Sequence, residues 1–176
     1  KLIYNVYINK SLMSLENYLL GKLYVAGINE SLSSISSAAQ LAGLDYKVSY
    51  DMNGINIEVS GYNSSVDDLM DVIIGSTRKL EMDEGIFSVI MDATTRNLEN
   101  KSLDAAYQIA QQKLSLVNYQ TAYSPEDQLS IIKSITIDDV KGYWDLIYNN
   151  VFIEGSSHGN ITKRGVLQLS SKLRNS

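Results

Sequence analysis

The stretch Ala39–Asn63, AQLAGLDYKVSYDMNGINIEVSGYN, decides how this chain is read. Its first residues close a helix, because Gly43 tolerates the left-handed conformation that stops one. Tyr46, Val48 and Tyr50 then alternate with Lys47, Ser49 and Asp51, the period-two pattern of a half-buried strand. Asn53-Gly54 is a strong short hairpin signal, since both residues accept the positive φ of a type I′ turn. Ile55, Ile57 and Val59 make the apolar face of the return strand, which Gly61 ends. A hairpin is antiparallel by construction, so this stretch sets the character of the sheet.

Outward from the hairpin, Leu2 to Ile8 alternates, with Leu2, Tyr4, Val6 and Ile8 on one face and Ile3, Asn5 and Tyr7 on the other. Ser14 caps a helix expected to run to about Glu30, with Leu15, Leu19, Leu23 and Ala26 at helical spacing. A second helix is expected over residues 33–41. Ser64 with Asp67 resembles a capping box and starts an amphipathic helix to about Lys79. Asp83 starts a long helix through Phe87, Ile90, Leu98, Tyr107 and Leu114, with a polar middle at 97–102 where a kink is expected. Ser124-Pro125 puts proline at a first helical position. Thr136 with Asp139 starts another helix, to about Tyr148. Val151 to Glu154 forms a last strand, and Asn160 or Thr162 begins a terminal helix. The order predicts an α+β fold: a mostly antiparallel sheet with helices packed on one face.

Composition narrows the function. The chain has 176 residues, 44% of them hydrophobic and 20% charged, which suits one globular domain with a sizeable core. The net charge of −5 argues against nucleic acid as a partner. No apolar run approaches the roughly 18 residues that a membrane span requires. The chain opens at Lys1, already in a strand pattern, and reads as a piece of a longer protein without a visible signal peptide. A soluble protein is expected; its compartment is unknown. Asn-x-Ser/Thr triplets at Asn9, Asn29, Asn63, Asn100 and Asn160 read as chance in so Asn- and Ser-rich a chain.

No catalytic constellation emerges. A zinc site needs three or four His, Cys, Asp or Glu ligands, and this chain has one His and no Cys. His158 with Ser156 or Ser157 lacks the elbow motif of a nucleophilic serine. The pairs Asp67-Asp68, Asp83-Glu84 and Asp138-Asp139 each fall in a first helical turn, where the helix dipole favours negative charge. The eleven glycines do not form a phosphate loop, and the twelve tyrosines read as core and rim. Catalytic, cofactor-binding and metal residues are therefore each expected to be none. An independent ligand-binding module is the bland competing reading.

The run AAQLAGLDYKVSYDMNGINIEVSGYN resembles a segment of insulinase/pitrilysin-type zinc metalloproteases. The likeness continues at residues 80–87 (LEMDEGIF), at 135–140 (ITIDDV), and at Ile153-Glu154 with His158-Gly159-Asn160-Ile161-Thr162-Lys163. It covers nearly the whole chain in the family's order, and it points to the family's non-catalytic third domain. It implies a two-layer, processing-peptidase-like fold missing its first strands, and an open sheet edge. Residues 1–161 would be the domain, and 162–176 a helix leading toward the next one. The parent would be a clamshell zinc metalloendopeptidase that encloses and degrades peptides. Its zinc would lie in another domain, held by H-x-x-E-H on a helix. The helix at 14–30 takes that helix's place here, with Glu16 and Glu30 and no His. Expected partners are the other domains of the same polypeptide and the enclosed peptide, and the piece alone would self-associate. The alternative is a domain of an inactive peptidase homologue or processing-peptidase-like core subunit with an assembly role only.

Overall fold

The computed structural model describes residues 1–62, 65–119 and 122–174. Four strands form one fully antiparallel sheet: β1 (Leu2–Ile8), β2 (Asp45–Asp51), β3 (Gly54–Ser60) and β4 (Val151–Ser157), in the order β2-β3-β1-β4. Among the described residues eight α-helices accompany it: α1 (Leu15–Leu41), α2 (Ser65–Arg78), α3 (Glu84–Asn100), α4 (Ala106–Asn118), α5 (Pro125–Ile132), α6 (Ile137–Lys141), α7 (Tyr143–Ile147) and α8 (Lys163–Arg174).

The expected α+β architecture is present. Leu2, Tyr4, Val6 and Ile8 of β1, Val48 of β2, and Ile55, Ile57 and Val59 of β3 are buried under the helices. Leu19, Leu23, Tyr24, Ile28 and Leu32 of α1 meet them in one core. Each such side chain contributes roughly 1.5–3 kcal/mol by leaving water.

Several boundaries differ from the sequence reading. The two helices expected at 14–30 and 33–41 are one helix, α1, of 27 residues. The serines between them do not interrupt it: Ser31 Oγ donates to the Ile28 carbonyl and stays within the helical ladder. The stop at Gly43 stands. Its φ is +72°, its N–H donates to the Gln40 carbonyl, and Leu44 N–H donates to the Ala39 carbonyl. That is a Schellman closure. The hairpin loop is Met52–Asn53, one residue earlier than expected, because Asp51 pairs with Gly54. Gly54 is the first residue of β3, with φ +140°, and a Cβ there would lie 2.1 Å from the Val6 carbonyl oxygen. Asp51 Oδ1 closes the turn by accepting from the Asn53 and Gly54 N–H groups, at 2.7 and 3.2 Å.

The long helix after Asp83 breaks within its polar middle. α3 ends at Asn100 and a 3-10 turn over Lys101–Leu103 leads to α4. The helix expected from Thr136 to about Tyr148 is two short ones, α6 and α7, parted at Gly142, with a 3-10 turn over Tyr148–Asn150. β4 runs three residues beyond Glu154. Ser14, Asp83, Ser124, Thr136 and Thr162 each accept from a backbone N–H of the helix they begin. The Ser64 cap lies outside the described residues.

Candidate functional site

α1 stands at the centre of the domain and touches β2, α2, α3, α5, α6 and α7. Its two acidic residues, Glu16 and Glu30, are both exposed. His158 is exposed just past β4, and its backbone pairs with that of Lys1: its N–H donates to the Lys1 carbonyl at 2.8 Å, and the Lys1 α-amino nitrogen donates to the His158 carbonyl at 2.7 Å. The carboxylate pairs stand at helix starts. Asp83 caps α3, and Asp139 closes a capping box with Thr136. Hydrogen bonds from Thr136 hold the Asp139 carboxyl below its ordinary range. Among the described residues, no three His, Cys, Asp or Glu side chains gather at a metal-holding distance. No helix of the described residues is long and apolar enough to cross a membrane.

What the fold brings together instead is the sheet face turned away from the helices. The strand register lays three rows across it. Lys47 faces Glu58, which faces Ile3, which faces Ser156. Ser49, Asn56, Asn5 and Glu154 form the second row, and Asp51, Gly54, Tyr7 and Phe152 the third. Lys47, Ser49 and Asp51, whose alternation marks the polar side of β2, therefore share this face with Asn56 and Glu58 of β3.

Its charges are partly neutralised. Lys1 Nζ stands 2.7 Å from Glu58 Oε2 and lowers that carboxyl's pKa through its hydrogen bond and charge. Asn56 Nδ2 donates to Asp51 Oδ2 at 2.8 Å. At the β4 side, Tyr7 stacks on Phe152 with centroids 6.2 Å apart and donates to Glu154 Oε2 at 3.0 Å. That hydrogen bond raises the Tyr7 pKa. The face therefore offers amides, carboxylates, the ammoniums of Lys1 and Lys47 and an aromatic corner to whatever meets it. Phe152 and Glu154 were not assigned to it from sequence, because the β1–β4 register joins residues some 150 positions apart.

On the covered side, a ladder of rings joins α1 to β2 and α7. Tyr18 meets Tyr123 and Tyr50, Tyr50 meets Tyr143, and Tyr143 meets Tyr24, with centroids between 5.4 and 6.4 Å apart. The Tyr50 and Tyr143 hydroxyls are 2.9 Å apart. Burial pushes the Tyr143 hydroxyl up to about 12 and the Tyr24 and Tyr50 hydroxyls upward as well. Gly21 is required here, because a Cβ would lie 2.3 Å from the Tyr50 ring. Lys22 donates to Gln128 Oε1 at 3.0 Å and stands 5.5 Å from the centroid of the Tyr18 ring. Desolvation, aided by the Lys101 charge, lowers its ammonium to about 8. Nothing in the local sequence marks Lys22, whose partner Gln128 lies 106 positions away. These groups tie α1 to its neighbours and bring together no nucleophile, base and orienting third group.

Comparison with known proteins gives these surfaces a context. Human "Insulin-degrading enzyme" is 30% identical over 145 residues, which are 82% of this chain and 14% of that protein. "Nardilysin-like" of Arabidopsis thaliana is 23% identical over 163 residues, covering 93% of this chain and 16% of that one. The chain thus spans a small part of the length of these relatives. The crystal structure of pitrilysin superposes with a TM-score of 0.82 at 18% identity, covering 99% of this chain and 19% of that one. The "peptidase M16 inactive domain" from Pseudomonas fluorescens gives 0.76 at 12% identity, covering 99% and 44%. These two likenesses carry the fold. The family described as the middle or third domain of peptidase M16 matches residues 1–131, and the chain belongs to it.

Proposed function

We propose that this chain is a non-catalytic structural and substrate-enclosing domain of a longer zinc metalloendopeptidase that degrades peptides. The observation that carries the reading is the two-sidedness of the sheet. One face is sealed under helices. The other presents three mostly polar rows over four strands, with an aromatic corner at Tyr7 and Phe152, suited to a chamber wall that holds peptide backbone by hydrogen bonds without cutting it. α1, in the position that the resemblance gives to a zinc helix, carries Glu16 and Glu30 and no His. Zinc would be held by H-x-x-E-H in another domain, its Glu activating the metal-bound water.

The partners in this reading are the other domains of the polypeptide and the enclosed peptide. The apolar side of α4 supports the first: Tyr107, Leu114 and Val117 are exposed at helical spacing, and α4 buries no described residue. Residues 1–161 would form the domain, and α8 would lead toward the next one. Leu169 and Leu173 seat that helix on the core, and Lys172 pairs with Asp71 of α2 at 2.7 Å. The alternative is a domain of an inactive peptidase homologue or processing-peptidase-like core subunit with an assembly role only.

Zinc content and peptide hydrolysis, measured on this chain and on the longer polypeptide, test the reading. A zinc-free, inactive chain beside a zinc-loaded, active parent is the expected result. Stoichiometric zinc or cleavage by the chain alone would sink it. A parent without zinc would select the alternative.

A further inference from the structure

The open face of the sheet is electrically lopsided. Its first row holds Lys47 and Glu58, and Lys1 Nζ stands 2.7 Å from Glu58 Oε2. Its second and third rows hold Glu154 and Asp51 and no cation. Lys47 and Asp51 lie four positions apart on β2, so the two ends of the face are separated by roughly 13 Å. The ion pairs of the described residues, Lys1 with Glu58 and Lys172 with Asp71, leave Glu154 and Asp51 out.

The negative end is also the aromatic end. Tyr7 and Phe152 stack with ring planes 24° apart, and Phe152 is 68% exposed. Glu154 Oε2 accepts from the Tyr7 hydroxyl at 3.0 Å, which fixes the carboxylate beside the rings, and Oε1 accepts nothing from the described residues. Asp51 stands on the other side of Tyr7, across the gap that Gly54, having no side chain, leaves in the third row. Its charge reaches the ring: the Glu154 hydrogen bond raises the Tyr7 pKa most, and Asp51 adds to it. Asp51 is itself committed to the hairpin turn and to Asn56, so Glu154 is the acceptor left open.

A planar cation answers these features together. A guanidinium stacks on an aromatic face and donates in parallel to a carboxylate. An ammonium is a compact, strongly hydrated point charge that fits the ring and the carboxylate less well. A purely apolar side chain would cover Glu154 without giving it a partner, which costs free energy.

We infer that Tyr7, Phe152 and Glu154 form a subsite for an arginine side chain of the enclosed peptide, its guanidinium over the Phe152 ring and donating to Glu154, with Asp51 adding negative charge. This rests on the proposed reading of the open face as a chamber wall, and it adds a substrate class: peptides that carry arginine in an extended segment. Asn5, Ser49 and Asn56, in the row beside the corner, are placed to meet the backbone of such a segment.

A titration of the 176-residue chain with a blocked pentapeptide, one arginine among alanines, tests it through amide chemical shifts. The shifts should move at Tyr7, Phe152 and Glu154. The arginine peptide should bind roughly 10-fold more tightly than its citrulline counterpart, which keeps the shape and loses the charge, and more tightly than the lysine one. Glu154→Gln and Phe152→Leu should each weaken it about 3-fold to 5-fold. Both residues are exposed, so the fold survives the changes. Glu30→Gln, which removes an exposed charge from α1, should leave binding as it was. Equal binding of arginine and citrulline would overturn the inference. So would arginine binding that Glu154→Gln leaves intact, which would mark general attraction to a chain of net charge −5. In the longer polypeptide, a fluorinated phenylalanine at position 152 should respond to the same peptide. Silence there would mean that a neighbouring domain fills the corner, and would also overturn it. No arm reads zinc or hydrolysis. Arginine binding beside a zinc-free parent would keep this subsite and sink the peptidase role, and an active parent without arginine binding would do the reverse.

Discussion

The β2 and β4 edges belong to one sheet, yet one is sealed and the other is bare. β2 is bound into the domain by α1. Tyr46 donates to the Leu32 carbonyl, Asn29 reaches the Val48 carbonyl, and the Tyr50 ring lies between Tyr18, Tyr143 and the backbone at Gly21. β4 is held by β1 on one side and by α8 over its face, and no strand pairs with its outer side among the described residues. The difference teaches that hydrogen-bonding demand, more than strand propensity, distinguishes a finished edge from an unfinished one.

Tyr50→Ala would break the sealed side most severely. It removes a ring from the aromatic ladder and one side of the Tyr143 hydroxyl contact. A loss of about 3 kcal/mol is expected from large-to-small substitutions of this kind. At this chain length that is a fall of roughly 6–12 °C in Tm. A smaller effect is expected from Asn29→Ala, which strips the Val48 carbonyl of its partner: about 1 kcal/mol. Exchange should accelerate along β2, with β4 unaffected; acceleration at β4 instead would mean that the two edges are coupled.

Lys22 sharpens the comparison through pH, because it bonds the sealing helix α1 to Gln128 of α5. Its folded pKa, about 8, lies below the ordinary lysine value of 10.5. Between those values the unfolded chain binds more protons, so stability from this group rises with pH from about 8 toward 10.5 and is reduced below 8. The buried tyrosines act oppositely, but only above about pH 10, where the unfolded chain begins to lose its phenolic protons. Thermal melts at pH 7.5 and 9.5 should therefore show a gain in the native protein that Lys22→Met lacks, roughly 1 kcal/mol after allowance for water reaching the amine. Parallel curves for the two proteins would refute the assignment.

The smallest effect belongs to the bare edge. Phe152→Lys loses the stacked contact with Tyr7 and places a charge where β2 already has three. Stability should change by no more than about 0.5 kcal/mol, while solubility of the isolated chain rises. A large loss of stability would show that Phe152 is core rather than rim.

The hairpin, the helix caps and the buried alternation of β1 were legible because each depends on residues a few positions apart. Thr136 with Asp139 and Ser124 with Pro125 state their geometry locally. The continuity of α1 was not legible, because the break expected after Glu30 rests on weak serine propensities that core packing overrides. The open polar face was legible by half. Lys47, Ser49 and Asp51 declare themselves by alternation, whereas their union with Phe152 and Glu154 depends on which strand lies beside β1. The Lys22–Gln128 contact is a product of the tertiary fold alone.

The bond between Lys1 and His158 joins residues 157 positions apart, and it has a kinetic consequence. β2 and β3 zip across a two-residue turn, and β1 closes onto β3 over a loop of moderate length. β4 must wait until six helices have been threaded between β3 and itself. Long-range pairing of this kind slows folding. In the waiting period β1, buried on one face and flanked by β3, is itself the rim of a three-stranded sheet. Misassembly is therefore most favoured late, and a variant that delays α6 and α7 should lengthen the lifetime of that aggregation-prone species without altering the final native state.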